Sequence, residues 1–386
     1  MKMKLMMAVT IAGSFLAGLL MAASTQTLTV DCGKGDSIND QLAKAAPDKN
    51  VIIQVSGTCT ETVTIADFEG LSLQLAGNPT AILNNPSSAA PGAPVVNVVE
   101  SRQVTISGLT INGATRVTNC RNCFFNNNIV NSPGTGIAFF QSEGVMQSNK
   151  IFITPTAGLG PIGVGVSALS DVGMFGNEIH GLGSPRVGLG VSVNLGAQVR
   201  MSGGVTGAVI EGFTTGLVVR DGSGLLAGGP PQCGSPLTAC ILVSNNNQGA
   251  RITSSNASLG GMTFDANAQG VYVELGSSVS IGPNSAVTNS TGSAVPFLQS
   301  LGVFATHNSS LVVGSLTSIT GNGDRGVAVG TNSSALLAPP NLVISGNLKN
   351  VTCDATSIVT GANSYTGGPP PIADCPNQVI PSEPVP

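Results

Sequence analysis

Gly302-Val303-Phe304-Ala305, Leu311-Val312-Val313, Ile319-Thr320-Gly321-Asn322 and Gly326-Val327-Ala328-Val329 follow one another within residues 302–329. Short apolar alternations are separated by turn residues, and the first pattern then begins again. An alternation of period two is the mark of a strand, and no helical run interrupts it. The same G-Φ-x-Φ block, where Φ is apolar, occurs at Gly136-Ile137-Ala138-Phe139, Gly188-Leu189-Gly190-Val191, Gly216-Leu217-Val218-Val219 and Gly270-Val271-Tyr272-Val273. A second alternation follows each block after about eight residues, as at Ser258-Leu259, Val279-Ser280-Ile281 and Leu336-Leu337. A period of roughly 21 to 33 residues built this way predicts a stacked β solenoid of roughly twelve coils, each with more than one strand.

A further element, Φ-x-(G/N/A)-N, lies just ahead of the glycine blocks at Val243-Ser244-Asn245-Asn246, Phe264-Asp265-Ala266-Asn267, Ile319-Thr320-Gly321-Asn322 and Ile344-Ser345-Gly346-Asn347. Asn149 and Asn177 are expected in a turn of the same kind one strand earlier. Asparagine tolerates the left-handed backbone of a tight turn, and stacked amides hydrogen-bond from coil to coil. These residues are therefore read as structural.

Outward from the repeats, the chain opens with Lys2 and Lys4, an apolar run from Leu5 to Met21 and then Ala22, Ala23 and Ser24. This is the layout of a secretory signal peptide, assigned to residues 1–23. Residues 24–50 are expected to form an N-terminal cap: a first strand at Leu28-Thr29-Val30, then a short helix begun by Asp36 or Ser37 and running to Ala46, with Ile38, Leu42 and Ala45 inward. Residues 51–365 carry the coils, interrupted by inserts at 228–240 and 290–299, and residues 366–386 form a Pro-rich tail.

Eight cysteines suit an exported chain. Proximity pairs Cys32 with Cys59, Cys120 with Cys123, Cys233 with Cys240 and Cys353 with Cys375. Only 9% of the residues are charged and the net charge is −4, so no basic face follows a nucleic-acid backbone. The reading is one long all-β domain, soluble after cleavage, monomeric, and secreted or periplasmic.

Asp31-Cys32, Val55-Ser56-Gly57-Thr58-Cys59, Val104-Thr105-Ile106-Ser107-Gly108-Leu109-Thr110-Ile111 and the G-Φ-x-Φ coils together resemble bacterial right-handed parallel β-helix repeat proteins of the pectate-lyase-like superfamily. The resemblance spans about residues 28 to 365. It implies a single-domain right-handed parallel β-helix, and a superfamily whose members include polysaccharide lyases, glycoside hydrolases, epimerases and adhesins. It also implies that polysaccharide binds along the first strand of each coil, as in the lyases.

In that strand the apolar positions point inward, which turns Val218 and Arg220, Arg251 and Thr253, Tyr272 and Glu274, and Phe304 and Thr306 outward, with His307 next. Aromatic faces stack on sugars, and arginine binds uronate carboxylates bidentately. Arg220, Tyr272 and Phe304 are accordingly the candidate glycan-binding residues, and Arg251, Glu274 and His307 the catalytic candidates. The alternative is a solvated face in which Arg220, Arg251 and Glu274 form ladder ion pairs. A second row, His180, Glu211, Ser244 and Asp265, places Glu211 and Asp265 two coils apart, near the separation an inverting glycosidase uses.

A calcium-dependent lyase needs clustered carboxylates, and no DxD or DD pair occurs. The galacturonase-like paired aspartates are absent too, and Thr320-Gly321-Asn322-Gly323-Asp324-Arg325-Gly326 reads as a turn. The sequence thus leads to an exported solenoid that binds a polysaccharide or cell-surface glycan, with no cofactor. The alternative is a lyase or glycoside hydrolase acting on an extended acidic polysaccharide, with calcium if it is a lyase.

Overall fold

The computed structural model describes residues 24–78, 81–90, 92–205, 207–228, 240–291, 300–361, 365–366 and 375. The expected signal peptide, most of the two inserts and most of the Pro-rich tail lie outside them.

The described residues form a right-handed parallel β-helix of three long sheets. Every coil passes through them in the same order. The first sheet has 12 strands, from Val63–Ala66 to Lys349–Cys353. The second has 14, from Thr25–Asp31 to Ile358–Thr360, and the third has 13, from Thr58–Thr60 to Tyr365–Thr366. Within each sheet, strands pair in parallel with the equivalent strand of the next coil, as Gln248–Thr253 does with Gln269–Glu274. One continuous core of Val, Ile, Leu and Phe runs the length of the stack.

Both repeating sequence elements have a steric reason, and it is the same one. On the first sheet the glycines of successive coils form a column. A Cβ on Gly163 would come within 2.5 Å of the Gly190 carbonyl oxygen, one on Gly190 within 2.5 Å of Gly216, and one on Gly249 within 2.6 Å of Gly270. The same Cβ would meet the amide nitrogen of the corner asparagine: Asn246 at 2.9 Å from Gly216, Asn267 at 3.0 Å from Gly249, Asn322 at 2.7 Å from Gly302. The glycine therefore makes room for the asparagine and for the next coil. The block read at Gly188 is displaced by two residues, because the register pairs Val164 with Val191 and Val191 with Leu217. The column member is Gly190; Gly188 has φ +77° and turns the chain into the strand.

Each corner carries its own ladder. Between the third and first sheets, Asn246 donates to Asn267 Oδ1 from its backbone (3.0 Å) and its amide (3.1 Å), and Asn322 does the same to Asn347 (2.9 and 3.0 Å). Between the second and third sheets, Asn149 and Asn177 repeat the arrangement one strand earlier, as expected, and Asn128 extends it by one coil. Between the first and second sheets serines take over: Ser142 N–H donates to Ser170, Ser255 to Ser277 and Ser309 to Ser333. Stacked buried amides and hydroxyls satisfy the backbone where the sheets end.

Ser37 caps the N-terminal helix, which is shorter than expected, Ile38–Leu42. Glu61 accepts from the backbone N–H groups of Ile38 and Asn39, and Gln26 clamps the following turn by bonding both Lys44 O and Ala46 N. Those side chains hold residues 43–46 in a tight turn instead of a further helical turn. Disulfides join Cys32 to Cys59, Cys120 to Cys123 and Cys353 to Cys375, as proximity predicts. Cys240 is also disulfide-bonded, and its expected partner, Cys233, lies outside the described residues.

Candidate functional site

The outward face of the first sheet holds the residues singled out from the sequence in the register expected. Val218, Arg251, Tyr272 and Phe304 are direct partners on successive strands, and Arg220, Thr253 and Glu274 form the neighbouring row. Parallel pairing brings such side chains to about 4.8 Å spacing, close enough to act on one another.

Glu274 is 7% exposed, and three donors converge on its Oε1: Arg251 Nε at 2.7 Å, Arg251 Nη2 at 2.5 Å and Thr253 Oγ1 at 3.1 Å. The Arg251 side chain is half exposed; its guanidinium lies 5.8 Å from the Tyr272 ring centre. Tyr272 and Phe304 meet edge to face, with centroids 5.4 Å apart. Burial, and then the Glu274 charge, push the Tyr272 phenol above its ordinary value, so the hydroxyl is a neutral donor. The assembly is a fixed cation and two aromatic rings resting on a spent carboxylate. Fixing Arg251 limits the entropy lost when it binds an anion.

The other candidates stand apart. Arg220 lies 3.6 Å from Asp221 and is well exposed. His307 is not on the sheet face: it occupies the corner after the strand Leu301–Ala305, with φ 55°, and its carbonyl accepts from Gly276 N–H. It shares that corner conformation with Asp221 and Leu275. The chain turns away at Thr306, so sequence adjacency to Phe304 does not bring the imidazole to Arg251.

On the third sheet, Phe152, His180, Glu211, Ser244 and Asp265 form one row. Phe152 stacks on His180 at 5.2 Å, and His180 Nδ1 meets Glu211 Oε1 at 3.0 Å while Nε2 faces Glu178 at 3.6 Å. Lys150 pairs with Glu178 at 3.1 Å. Asp265 Oδ1 accepts from Thr288 and Asn289. Both carboxylates proposed for hydrolysis are thus engaged by neighbours on their own sheet.

Two features were missed from the sequence. Arg116 lies over the Phe140 ring at 5.2 Å on the first sheet, and Arg102 and Arg121 stand on adjacent coils at the corner beyond it. Their signal was present as the recurring Glu100-Ser101-Arg102 and Asn119-Cys120-Arg121, an x-(S/C)-R pair at a coil's spacing. Among the described residues, the group of three His, Cys, Asp or Glu side chains close enough to share a cation is Cys32, Cys59 and Glu61. Its sulfurs form a disulfide and its carboxylate caps the helix, so it does not fit a metal.

No family model and no curated protein matches the sequence. Among solved structures, the chain is similar to a surface adhesin of Streptococcus pneumoniae (10% identity, 91% of this chain and 93% of that one, TM-score 0.42). It is also similar to the family 28 exopolygalacturonase of Yersinia enterocolitica (10%, 92% and 79%, 0.40) and to the A-module of a mannuronan C-5 epimerase of Azotobacter vinelandii (14%, 90% and 90%, 0.40). By its own strand pairing, the chain is a right-handed parallel β-helix repeat protein.

Proposed function

We propose that this protein is exported and binds an extended acidic glycan along the outward face of its first sheet, without turning it over. The observation that carries the reading is the placement of Glu274: buried, with its Oε1 engaged by Arg251 and Thr253, it orients a guanidinium beside Tyr272 and Phe304. Arg251 takes a uronate carboxylate and the rings stack on the sugar, with Arg220 as a peripheral cation; no cofactor takes part. The disulfides fit an oxidising compartment, outside the cell or in a periplasm. Among the described residues no helix is long and apolar enough to cross a membrane.

A second reading, a lyase or hydrolase, is favoured by one observation: Glu211 and Asp265 lie two coils apart across Ser244. The test incubates the mature protein with acidic and neutral polysaccharides, with and without calcium, and follows new reducing ends and unsaturated uronate absorbance alongside retention on glycan columns. Retention of an acidic glycan, lost in Tyr272→Ala, with neither product formed, is the expected result. Product of either kind overturns the non-catalytic reading.

A further inference from the structure

We infer a second anchoring point for the glycan, at the corner between the first and second sheets, and therefore a ligand long enough to reach both; this rests on the binding reading above. A recess of about 480 Å³ opens at that corner, lined chiefly by Glu69, Glu100, Arg102, Asn119, Arg121 and Gln141. Its two arginines, on adjacent coils, are in different states. Arg102 pairs with the Glu69 carboxylate at 3.2 Å and donates to the Glu69 carbonyl. Arg121 has no hydrogen-bond or ion-pair partner for its guanidinium among the described residues.

An open fork of donors beside two amides and a carboxylate matches an ionised sugar. Arg121 takes the sugar's carboxylate bidentately, the Asn119 and Gln141 amides bond its hydroxyls, and Glu100 accepts from one of them. Phe140, the residue before Gln141, adds a ring already faced by Arg116.

The second anchor is displaced along the stack from the first, at the corner that follows the strand of Arg116, Ala114–Thr118. Arg116, Ala138, Gly165, Ser192, Val218 and Arg251 are register partners on successive strands. Those five steps span about 24 Å. Between the two anchors, Leu169 and Leu195 occupy the corner of consecutive coils, 78% and 58% exposed and both in the left-handed conformation, at φ 63° and 55°. The left-handed backbone is that of this corner in other coils too, at Gln141, Asp221 and Leu275, and at these two positions it carries an exposed apolar side chain. They offer apolar surface to the C–H faces of sugar rings passing between the arginines. The ligand class is a linear polyuronate that spans both anchors, not a single sugar.

The test measures binding of oligogalacturonides of graded length, by calorimetry, to the mature protein and to Arg121→Ala and Arg251→Ala. Once the oligomer exceeds the span, wild type should gain on the order of tenfold or more in affinity, a step absent from Arg121→Ala. Arg251→Ala should weaken every length. Arg121 is exposed and its guanidinium has no partner among the described residues, so its loss should leave the fold intact; a double Leu169→Ser and Leu195→Ser variant, which should shrink the step, supplies an independent arm. No step in wild type, or a step that survives Arg121→Ala, overturns the second anchor while dependence on Arg251 keeps the binding reading. Failure of wild type to bind at any length overturns both.

Discussion

Replacing Asn149 by alanine should separate the contribution of a buried corner amide from that of a polar turn residue. Asn149 is fully buried; its Oδ1 accepts from Asn128 N–H at 3.1 Å and from Asn128 Nδ2 at 3.0 Å, and its Nδ2 donates to Phe125 O and to Asn177 Oδ1, both at 2.9 Å. Alanine fits the backbone, because Asn149 is not among the left-handed residues. The substitution takes the side-chain partner from the Asn128 N–H and from the Phe125 carbonyl, whereas Asn128 Nδ2 keeps its bond to Ile106 O. Orphaning a buried polar group costs about 1–3 kcal/mol, so the loss of two such partners predicts about 2–6 kcal/mol. Asn131 is the internal control. It lies in an exposed ladder with Asn112 at 2.8 Å, where water replaces the lost bond, and Asn131→Ala should cost less than about 0.5 kcal/mol. Stacked repeats need not unfold in one step, so urea titration should be accompanied by hydrogen exchange resolved to individual coils. Equal costs at the two sites, or a loss below about 1 kcal/mol at Asn149, would refute the view that the corner ladders stabilise the stack.

The glycine column makes a steric prediction. Gly249→Ala places a Cβ 2.6 Å from the Gly270 oxygen and should cost about 1–3 kcal/mol by overpacking, read as a lowered melting temperature; Gly165→Ala, which meets nothing closer than 3.9 Å, should be close to neutral. Asp354 predicts a pH response. Burial alone would raise its carboxyl, but hydrogen bonds from Thr331 N–H, Ser357 and Thr356 outweigh it and hold the value at about 2. The folded value lies below the ordinary 3.8, so the stabilisation is present above about pH 4 and is lost as pH falls toward 2. Faster exchange of the Thr331 amide over that window, abolished in Asp354→Asn, is the expected result; exchange insensitive to pH would contradict it.

The architecture was legible because its signals are local and periodic. G-Φ-x-Φ and Φ-x-(G/N/A)-N recur at coil spacing, and each has a steric or hydrogen-bonding cause within one or two coils. The Gly188 block misled because two glycines two residues apart both fit the pattern, and only pairing with Val164 and Leu217 distinguishes them. The register of Arg251, Tyr272, Phe304 and Glu274 followed from side-chain alternation alone. What alternation does not convey is where a strand ends: Thr306 belongs to the turn, and His307 leaves the face with it. Nor does it reveal which arginines are neutralised. Arg102 and Arg121 look alike in sequence, and only the approach of Glu69 to the first distinguishes them.

The column of glycines under the corner asparagines also sets a rule for how such a chain can change size. Where the pattern recurs, as in the coils of Gly216 with Asn246 and Gly249 with Asn267, neighbouring coils present one another with the same carbonyl, the same amide and the same absent side chain. Excising residues 249–269 would seat Gly270 where Gly249 had been, and the molecule would close up by one graduation, like a ruler cut and rejoined at its marks. Evolution can therefore edit the reach of the rod in whole steps, and the distance between any two outward side chains is a quantised, heritable dimension.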